Sequence, residues 1–397
     1  MKRNIAKFLL ILVAVLLCGD GLVSAQTLDK EHLSIGARGR WNHAMDAHGL
    51  YENLLSSYDY WTAGATVGLQ TRPEDGDWFA RAFNYPSFGL GLDYARMGSL
   101  QFKGNSRLGD LADLYGWAHF DLLRTRRFRV GPTLKLGLTW SPEAFDAVSN
   151  PENKFFGAHL FALMAAGLRA EWLLAPQWTA ELSVDGIHHS NGMTKAPNWG
   201  INELALGLGV RYYLAPITFH VGTRPAAPAP EYRKGLHWNV FAAAGVHSCP
   251  VELDAQLANG QTSGLAPARP RAVVGAEMLW RYSPVFATGI LLDAGYTDNR
   301  YRETDLMLEG REDPRGYSPW HVGVGLTQEV WYRQVSIHLA VGLYAFHKTG
   351  LTEDIGRSFQ KLGIRYHFRK GLFLGLDMRA HMLDRSYALE WAIGYSL

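Results

Sequence analysis

Apolar and polar side chains alternate along most of the chain from residue 32 onward, in segments of about 10 to 14 residues. In residues 87–97, large apolar side chains fall on one parity, and Ser, Gly and Asp fall on the other. Successive side chains of a β-strand point to opposite faces of the sheet. The pattern therefore predicts strands that have one apolar face and one face of small or polar side chains.

About eight such segments precede Leu214, at residues 32–41, 59–72, 87–97, 111–124, 127–140, 159–173, 177–190 and 203–214. Further candidates follow at residues 236–246, 271–281, 284–295, 318–331, 333–346, 359–369, 371–382 and 386–397. In the first half, short and long connections alternate, as in outer-membrane barrels with short periplasmic turns. No later segment offers 18 consecutive apolar residues, so a spanning helix is not predicted. The predicted fold class is an all-β, antiparallel outer-membrane β-barrel.

Two architectures fit this pattern. In the first, an eight-stranded barrel over residues 26–215 is followed by a Pro-rich linker at 216–235 and a second barrel-like unit at 236–397. In the second, the whole chain forms one barrel of about 14 to 16 strands. Counting strands does not separate the two, but the Pro-rich segment is long for a periplasmic turn. Its length favours two units.

Composition adds to this picture. The chain has 42 glycines and 12% aromatic residues, which suits barrels whose strands pass close to one another. A net charge of +2 gives no general attraction to nucleic acid. Residues 1–25 read as a signal peptide, with a basic start, an apolar stretch and Val23-Ser24-Ala25 as the cleavage site. Cleavage would leave Cys249 as the single cysteine, so an intrachain disulfide is not expected.

The strand at residues 177–190 ends in an unusual way. Its apolar parity includes Trp178, Leu182 and Val184, and His188 and Ser190 continue that parity. Two residues on one face of a strand lie about 7 Å apart at Cα, so these side chains can reach each other. A serine hydroxyl becomes a useful nucleophile when a neighbouring base removes its proton. The pair therefore predicts a nucleophile and its base on the lipid-facing side of a barrel.

The stretch His188-His189-Ser190-Asn191 and the following Pro197–Asn202 resemble the PagL-type lipid A 3-O-deacylases, also called the acyloxyacyl hydrolase family. The family motif is His-x-Ser-Asn on a late strand of an eight-stranded outer-membrane barrel. Phe83–Pro86 and Asn150–Asn153 support the resemblance, which covers roughly residues 75–214. It implies ester hydrolysis at the outer membrane, with Ser190 as nucleophile, His188 as base, and lipid A or another acylated membrane lipid as partner. The residues imply no cofactor.

The resemblance also implies an acid shortly after the Pro-Asn-x-Gly stretch, where this chain has Asn202 with Glu203 next to it. Parity places Asn202 on the face of His188 and Ser190, and Glu203 in the lumen. An asparagine can orient a histidine tautomer, as in Cys-His-Asn proteases. We therefore expect Asn202 to orient His188, with Glu203 as the alternative if the strand begins late or contains a bulge.

A tetrahedral intermediate needs fixed donors, and Asn191 and the backbone N–H of Gly192 are candidates for this oxyanion hole. A metal site at His188 and His189 is not predicted, because neighbouring strand residues diverge and cannot chelate one ion. Three other interpretations stay open. The His-x-Ser pair could simply lie in the headgroup region, the substrate could be an ordinary phospholipid, or the protein could be a pore or structural barrel. A pore would depend on lumen charges, which the pattern places at Glu181, Asp185, Arg211, Asp377 and Arg379.

Overall fold

The computed structural model describes residues 33–45, 59–98, 104, 106–219, 228–298, 312–351, 357–381 and 385–397. The predicted signal peptide and residues 220–227 of the predicted linker lie outside these ranges. Two compact units divide the chain. Among the described residues, one unit contains residues 33–191 and Pro197–Pro228, and the other contains Gly192–Ala196 and Ala229–Leu397.

The first unit is a closed antiparallel barrel. Its strands are β1 (Leu33–Met45), β2 (Asp59–Gln70), β3 (Ser87–Ala95), β4 (Leu111–His119), β5 (Leu123–Arg124), β6 (Phe128–Trp140), β7 (Leu160–Ala175), β8 (Trp178–Ser190) and β9 (Ile201–Tyr213). Consecutive strands pair from β1 to β4 and from β6 to β9, β9 pairs back to β1, and β4 pairs with β6 to close the barrel. The two-residue β5 pairs with β6 alone. A short helix, α1 (Trp78–Ala82), lies between β2 and β3.

The second unit is also a closed barrel, of eight strands. These are β10 (Gly235–His247), β11 (Arg269–Arg281), β12 (Phe286–Thr297), β13 (Glu312–Tyr332), β14 (Val335–Leu351), β15 (Ser358–His367), β16 (Leu372–His381) and β17 (Arg385–Ser396). The last strand pairs with the first, which closes the sheet. A helix, α2 (Pro250–Ala258), lies in the connection between β10 and β11.

These pairings confirm the predicted fold class and decide between the two architectures. Because β9 closes onto β1 before the Pro-rich segment, a single barrel of 14 to 16 strands is wrong. Two strands differ locally from the prediction. The predicted strand at 111–124 is interrupted after His119, and a register shift between Arg379 and Ala380 breaks the clean alternation of β17. Beside that shift Tyr387 is buried and stacks on His381 instead of joining the apolar outer face.

The inward-facing side chains of each barrel pair in ionic contacts. In the first barrel Lys135 Nζ lies 2.7 Å from Asp185 Oδ2, and Arg211 Nε lies 2.6 Å from Glu181 Oε1. In the second barrel Arg365 reaches both carboxylate oxygens of Glu277 at 2.7 and 2.8 Å. Charges withdrawn from water are tolerated only when they are paired and hydrogen-bonded. These lumens are therefore packed polar cores.

The outward-facing side chains of both barrels are large, apolar and exposed. Leu206 is 47% exposed in the first barrel and Leu292 is 54% exposed in the second. Continuous exposed apolar surface of this kind indicates contact with another apolar phase. Among the described residues, no helix is both long and apolar enough to cross a membrane.

The loop end of the first barrel is closed by an apolar cluster that includes Tyr60, Leu108, Phe155, Phe161 and Ile201. Phe156 and Phe161 stack with their ring centroids 4.1 Å apart. Side chains in such a cluster have few alternative rotamers that avoid clashes. The cluster therefore fixes the ends of β7 and β9 at the place where the candidate site residues lie.

Candidate active site

His188 and Asn202 face each other across neighbouring strands. They are directly paired residues of β8 and β9, and His188 Nδ1 lies 2.7 Å from Asn202 Oδ1. An amide oxygen can only accept a hydrogen bond, so this contact places the imidazole proton on Nδ1. Nε2 is then left with a lone pair. This tautomer is the one that a general base requires.

Ser190 ends β8 on the same face, and the loop that follows holds its hydroxyl. Asn198 Nδ2 donates a hydrogen bond to Ser190 Oγ at 2.8 Å. Asn198 Oδ1 accepts from the backbone N–H of Asn191, also at 2.8 Å. Asn198 is 7% exposed and Ser190 is 2% exposed. One buried amide thus links the serine side chain to the backbone of the next residue.

Gly200 allows the loop to approach His188 and Ser190 closely. Its φ is +67°, and a Cβ added there would lie 2.7 Å from the carbonyl oxygen of His189. The same atom would lie 3.2 Å from His188 Cε1 and 3.6 Å from Ser190 Cβ. Both the dihedral angle and the contacts favour glycine. The imidazole and the serine side chain therefore converge on one small space beside Gly200.

A second loop supports the first from behind. The backbone N–H groups of Trp199 and Gly200 donate to the carbonyl oxygens of Lys154 and Phe155, both at 3.2 Å. The supporting loop is itself fixed by Asn150, whose Nδ2 donates to the carbonyl oxygens of Arg107 and Ala144 at 3.1 and 3.0 Å. Buried side-chain amides that bond to backbone groups commonly hold irregular loops in place. The Asn-Pro-x-Asn stretch quoted above thus has a structural role beside the site.

His189 points into the lumen, where it is hydrogen-bonded to one carboxylate and lies near a second. Its Nδ1 lies 3.0 Å from Glu203 Oε1, and its Nε2 lies 3.4 Å from Asp113 Oδ1. All three side chains are at most 2% exposed. Glu203 therefore hydrogen-bonds to His189, whereas His188 bonds to Asn202. Asp185, another lumen carboxylate, pairs with Lys135. The strand β9 begins at Ile201 with unbroken pairing, so parity places Glu203 inside as expected.

The structure brings together His188, Ser190 and Asn202, which were chosen from the sequence, and it adds Asn198, which was not. Asn198 belongs to the Pro-Asn-x-Gly stretch, but no periodic pattern marks the direction of a loop side chain. Of the two oxyanion candidates, Asn191 uses its backbone N–H on Asn198. Gly192 has a φ of +64° and belongs to the second compact unit. Within the described ranges, three or more His, Cys, Asp or Glu side chains nowhere form a cluster suited to a metal ion.

The arrangement offers a base of defined tautomer, a hydroxyl two residues further along the same strand face, and a fixed amide donor to that hydroxyl. These are the parts of an acyl-transfer site. It lies at the end of an apolar barrel face, where an acyl chain embedded in a membrane could approach. Such a set of groups can carry out acyl transfer from an ester.

Two family models match the chain. The model described as lipid A 3-O-deacylase (PagL) matches residues 63–211. The model described as acyloxyacyl hydrolase, C-terminal domain, matches residues 236–397. The first match contains every candidate site residue named above, and the second spans the strands of the second barrel.

Solved structures resemble the chain more distantly. Neisserial surface protein A (NspA) is 11% identical, with 46% of this chain and 96% of that chain covered and a TM-score of 0.30. A triple mutant of the Rhodopseudomonas blastica porin is 9% identical, with 92% of this chain and 99% of that chain covered and a TM-score of 0.18. Likenesses at this level carry no argument about function. Among curated proteins, none matches the chain.

Proposed function

The chain belongs to the family of lipid A 3-O-deacylases (PagL) and acyloxyacyl hydrolases, and from this premise we propose that it removes an ester-linked acyl chain from lipid A by a serine-histidine mechanism. The observation that carries the mechanism is the 2.7 Å contact between His188 Nδ1 and Asn202 Oδ1, on the face that also bears Ser190. Asn202 fixes the tautomer, His188 is the base and Ser190 is the nucleophile.

In the first half-reaction His188 Nε2 takes the proton of Ser190 Oγ as the oxygen attacks the acyl carbonyl carbon. The carbonyl oxygen becomes an oxyanion in the tetrahedral intermediate. Collapse of the intermediate breaks the ester bond, and the imidazolium returns its proton to the departing sugar oxygen. The acyl chain remains on Ser190. Asn202 stabilises the imidazolium through its amide oxygen, without the charge of a carboxylate.

In the second half-reaction a water molecule takes the place of the sugar. His188 removes a proton from the water, the resulting hydroxide attacks the acyl-serine, and Ser190 Oγ leaves with the proton that His188 returns. The free fatty acid and the original serine are the products. The same base thus serves both steps, as microscopic reversibility requires.

Asn198 is placed to act as an oxyanion donor in both half-reactions. Its Nδ2 already donates to Ser190 Oγ at 2.8 Å, and a small shift would direct the same N–H to the oxygen of the acyl carbonyl group whose carbon bonds to Oγ. Its other end is fixed by the backbone of Asn191, so the donor is preorganised. Asn191 and Gly192, the donors chosen from the sequence, stay predictions, because the backbone N–H of Asn191 already donates to Asn198 Oδ1.

The family and the barrel architecture indicate an outer-membrane protein, and we propose that it arrives there after cleavage of residues 1–25. The competing pore hypothesis needs a lumen that ions can cross. Arg211–Glu181 in the first barrel and Arg365–Glu277 in the second are buried ion pairs that occupy the respective lumens. These contacts favour the hydrolase over the pore.

The test is mass spectrometry of lipid A incubated with the refolded protein or with Ser190→Ala. We expect the wild type alone to release one hydroxyacyl chain, seen as a loss of that mass from lipid A and as a free fatty acid. Equal loss with both proteins would contradict the role of Ser190. An unchanged spectrum with wild type would contradict lipid A as the substrate, and phospholipid tested in parallel would identify the competing ester.

A further inference from the structure

A charged cluster lies directly behind the proposed catalytic pair, on the lumen side of the barrel wall. His189 follows His188 in β8, and Glu203 follows Asn202 in β9. The outer pair makes the contact from His188 to Asn202 at 2.7 Å, and the inner pair makes the contact from His189 to Glu203 at 3.0 Å. Two histidines on opposite faces are thus each bonded to β9. The inner contact extends to Asp113 of β4.

Two buried carboxylates beside the ring define the charge on His189. Its two ring nitrogens face carboxylate oxygens of Glu203 and Asp113 at 3.0 and 3.4 Å. A carboxylate only accepts hydrogen bonds, so Nδ1 carries a proton toward Glu203, while Nε2 lies at ion-pair distance from Asp113 and makes no hydrogen bond. Isolated buried carboxylates are also costly unless a cation accompanies them. His189 is therefore an imidazolium between two carboxylates, and the three groups together carry one net negative charge.

Other polar groups complete the surroundings of this cluster. The hydroxyl of Tyr60 in β2 hydrogen-bonds to Glu203, and Thr139 Oγ1 in β6 donates to Asp113 Oδ1 at 2.7 Å. Arg40 in β1 is a further cation that acts on Asp113, and it pairs with Asp93 at 2.7 Å. From β7 the side chain that meets His189 is the uncharged ring of Phe161.

On the outer face of the wall, the described residues that bond to His188 or pair with it across the sheet are uncharged. Its bonded partner Asn202 is neutral, and the residues of β7 that pair with His188 and Ser190 are Met164 and Ala162. During ester hydrolysis His188 must become an imidazolium in a region with little water. A cation in such a place is stabilised by negative charge nearby, and one peptide layer is thin enough for that charge to act.

We propose that the Glu203–His189–Asp113 cluster is a positioning and electrostatic element of the active site, acting on His188 through the barrel wall. It holds β8 and β9 in register at the catalytic pair, and it supplies from inside the negative charge that Asn202 lacks. Glu203 and His189 do not touch the substrate and are positioning residues. The proposal rests on the proposed function for the role of His188, and it assigns two buried side chains to the control of that residue.

The experiment compares Glu203→Gln with His189→Gln in the refolded full chain. The first removes a negative charge behind His188, so the pH of half-maximal kcat/KM on the acid side should fall by about 0.5 to 1 unit. The second removes a positive charge, so the same midpoint should rise by a similar amount. Damage to the structure alone would lower activity in both variants without moving the two midpoints in opposite directions. The proposal is overturned if both variants keep the wild-type midpoint, or if both midpoints shift in the same direction.

Two further variants keep the test decisive. Glu181→Gln makes the same chemical change as Glu203→Gln, but in β8, seven residues and about 23 Å from His188. It should leave the acid-side midpoint unchanged. Asp113→Asn removes the other carboxylate and should lower the midpoint as Glu203→Gln does, which covers a failure of that variant to fold. Barrel closure is checked by heat-modifiable gel mobility.

A readout without turnover separates this proposal from the proposed function. In a Ser190→Ala background, NMR of isotopically labelled histidine follows protonation of His188 in detergent micelles whether or not lipid A is a substrate. The same opposite shifts are expected for Glu203→Gln and His189→Gln. If they occur without lipid A hydrolysis by the wild-type chain, the proposed function fails and the electrostatic link stands. If hydrolysis occurs without the shifts, the link fails.

Discussion

The two barrels have the same architecture, and each contains a serine–histidine pair, yet the pairs lie in opposite places. In the first barrel Ser190 and His188 lie on the outer face at the end of β8. In the second barrel Ser336 Oγ lies 2.9 Å from His367 Nε2 inside the lumen, where Ser336 is fully buried. A short contact between serine and histidine therefore does not define a catalytic site. Access for an ester and a group that orients the histidine are also required.

Each barrel also contains a buried histidine that lies between two carboxylates. His338 of the second barrel lies between Glu277 and Asp377, with its ring nitrogens 2.9 and 3.4 Å from the carboxylate oxygens. His189 has the same arrangement in the first barrel. The neighbours of His338 in β14 are Ile337 and Leu339, and Leu339 is 42% exposed on the apolar face. Paired carboxylates around a histidine thus fill a lumen in both barrels, but only His189 is adjacent to a candidate base.

The largest expected effect comes from replacing the base. His188→Ala should lower kcat/KM for lipid A at least about 1,000-fold, because Ser190 would lose the group that accepts its proton. Release of fatty acid measures the change. The matched control is Ser336→Ala, which breaks the serine–histidine contact of the second barrel and should leave turnover within about twofold. A comparable loss in both variants would show that the comparison between the pairs is wrong.

Removal of the buried amide should have the next largest effect. Asn198→Ala takes away the donor to Ser190 Oγ, and kcat should fall about 100-fold with little change in KM, as for loss of one oxyanion donor. Single-turnover kinetics separates the chemical step from binding. Asn198→Asp keeps the shape and the acceptor for the backbone N–H of Asn191 but removes the donor, so it should not restore kcat. Full activity in either variant would contradict the assigned role.

A pair of glycines tests the shape of the site. Gly200→Ala should lower kcat about tenfold, because the new Cβ would meet the backbone of His189 and the ring of His188. Gly264 in the second barrel has nearly the same φ, +66°, but its nearest neighbouring atom would be 3.9 Å away. Gly264→Ala therefore imposes the same backbone strain, about 1 kcal/mol, without a clash. Equal losses of activity would assign the effect to strain and not to the site.

The smallest change concerns the orienting residue. Asn202→Asp keeps an oxygen acceptor opposite His188 Nδ1 and adds a negative charge, so kcat should stay within about threefold of wild type. The acid-side midpoint of the pH profile should rise, since the charged neighbour favours the imidazolium. Asn202→Leu has a similar size without an acceptor and is the control that should lose about tenfold or more. A wild-type kcat for Asn202→Leu would show that Asn202 has no role in the mechanism.

Much of the fold could be predicted from the sequence because its signal is local. Alternation with a period of two residues defines where a strand runs and which face each side chain takes. It located β8 and β10 to within about two residues and placed His188 and Ser190 on one face. It failed at β17, where a register shift turns Tyr387 inward, because a shift in pairing depends on the partner strand.

The closure of the sheets was decided by the tertiary structure. Whether β9 pairs with β1 or with a later strand depends on contacts between residues far apart in sequence, and alternation is the same in both cases. The direction of Asn198 was also decided there, since a loop side chain has no periodic rule and takes its place from its bonded partners. The same holds for Glu203, which parity placed in the lumen but which only the folded barrel bonds to His189. The sequence by itself determined which residues share a face, and the tertiary structure decided which of them meet, because hydrogen-bond partners across a barrel come from separate strands.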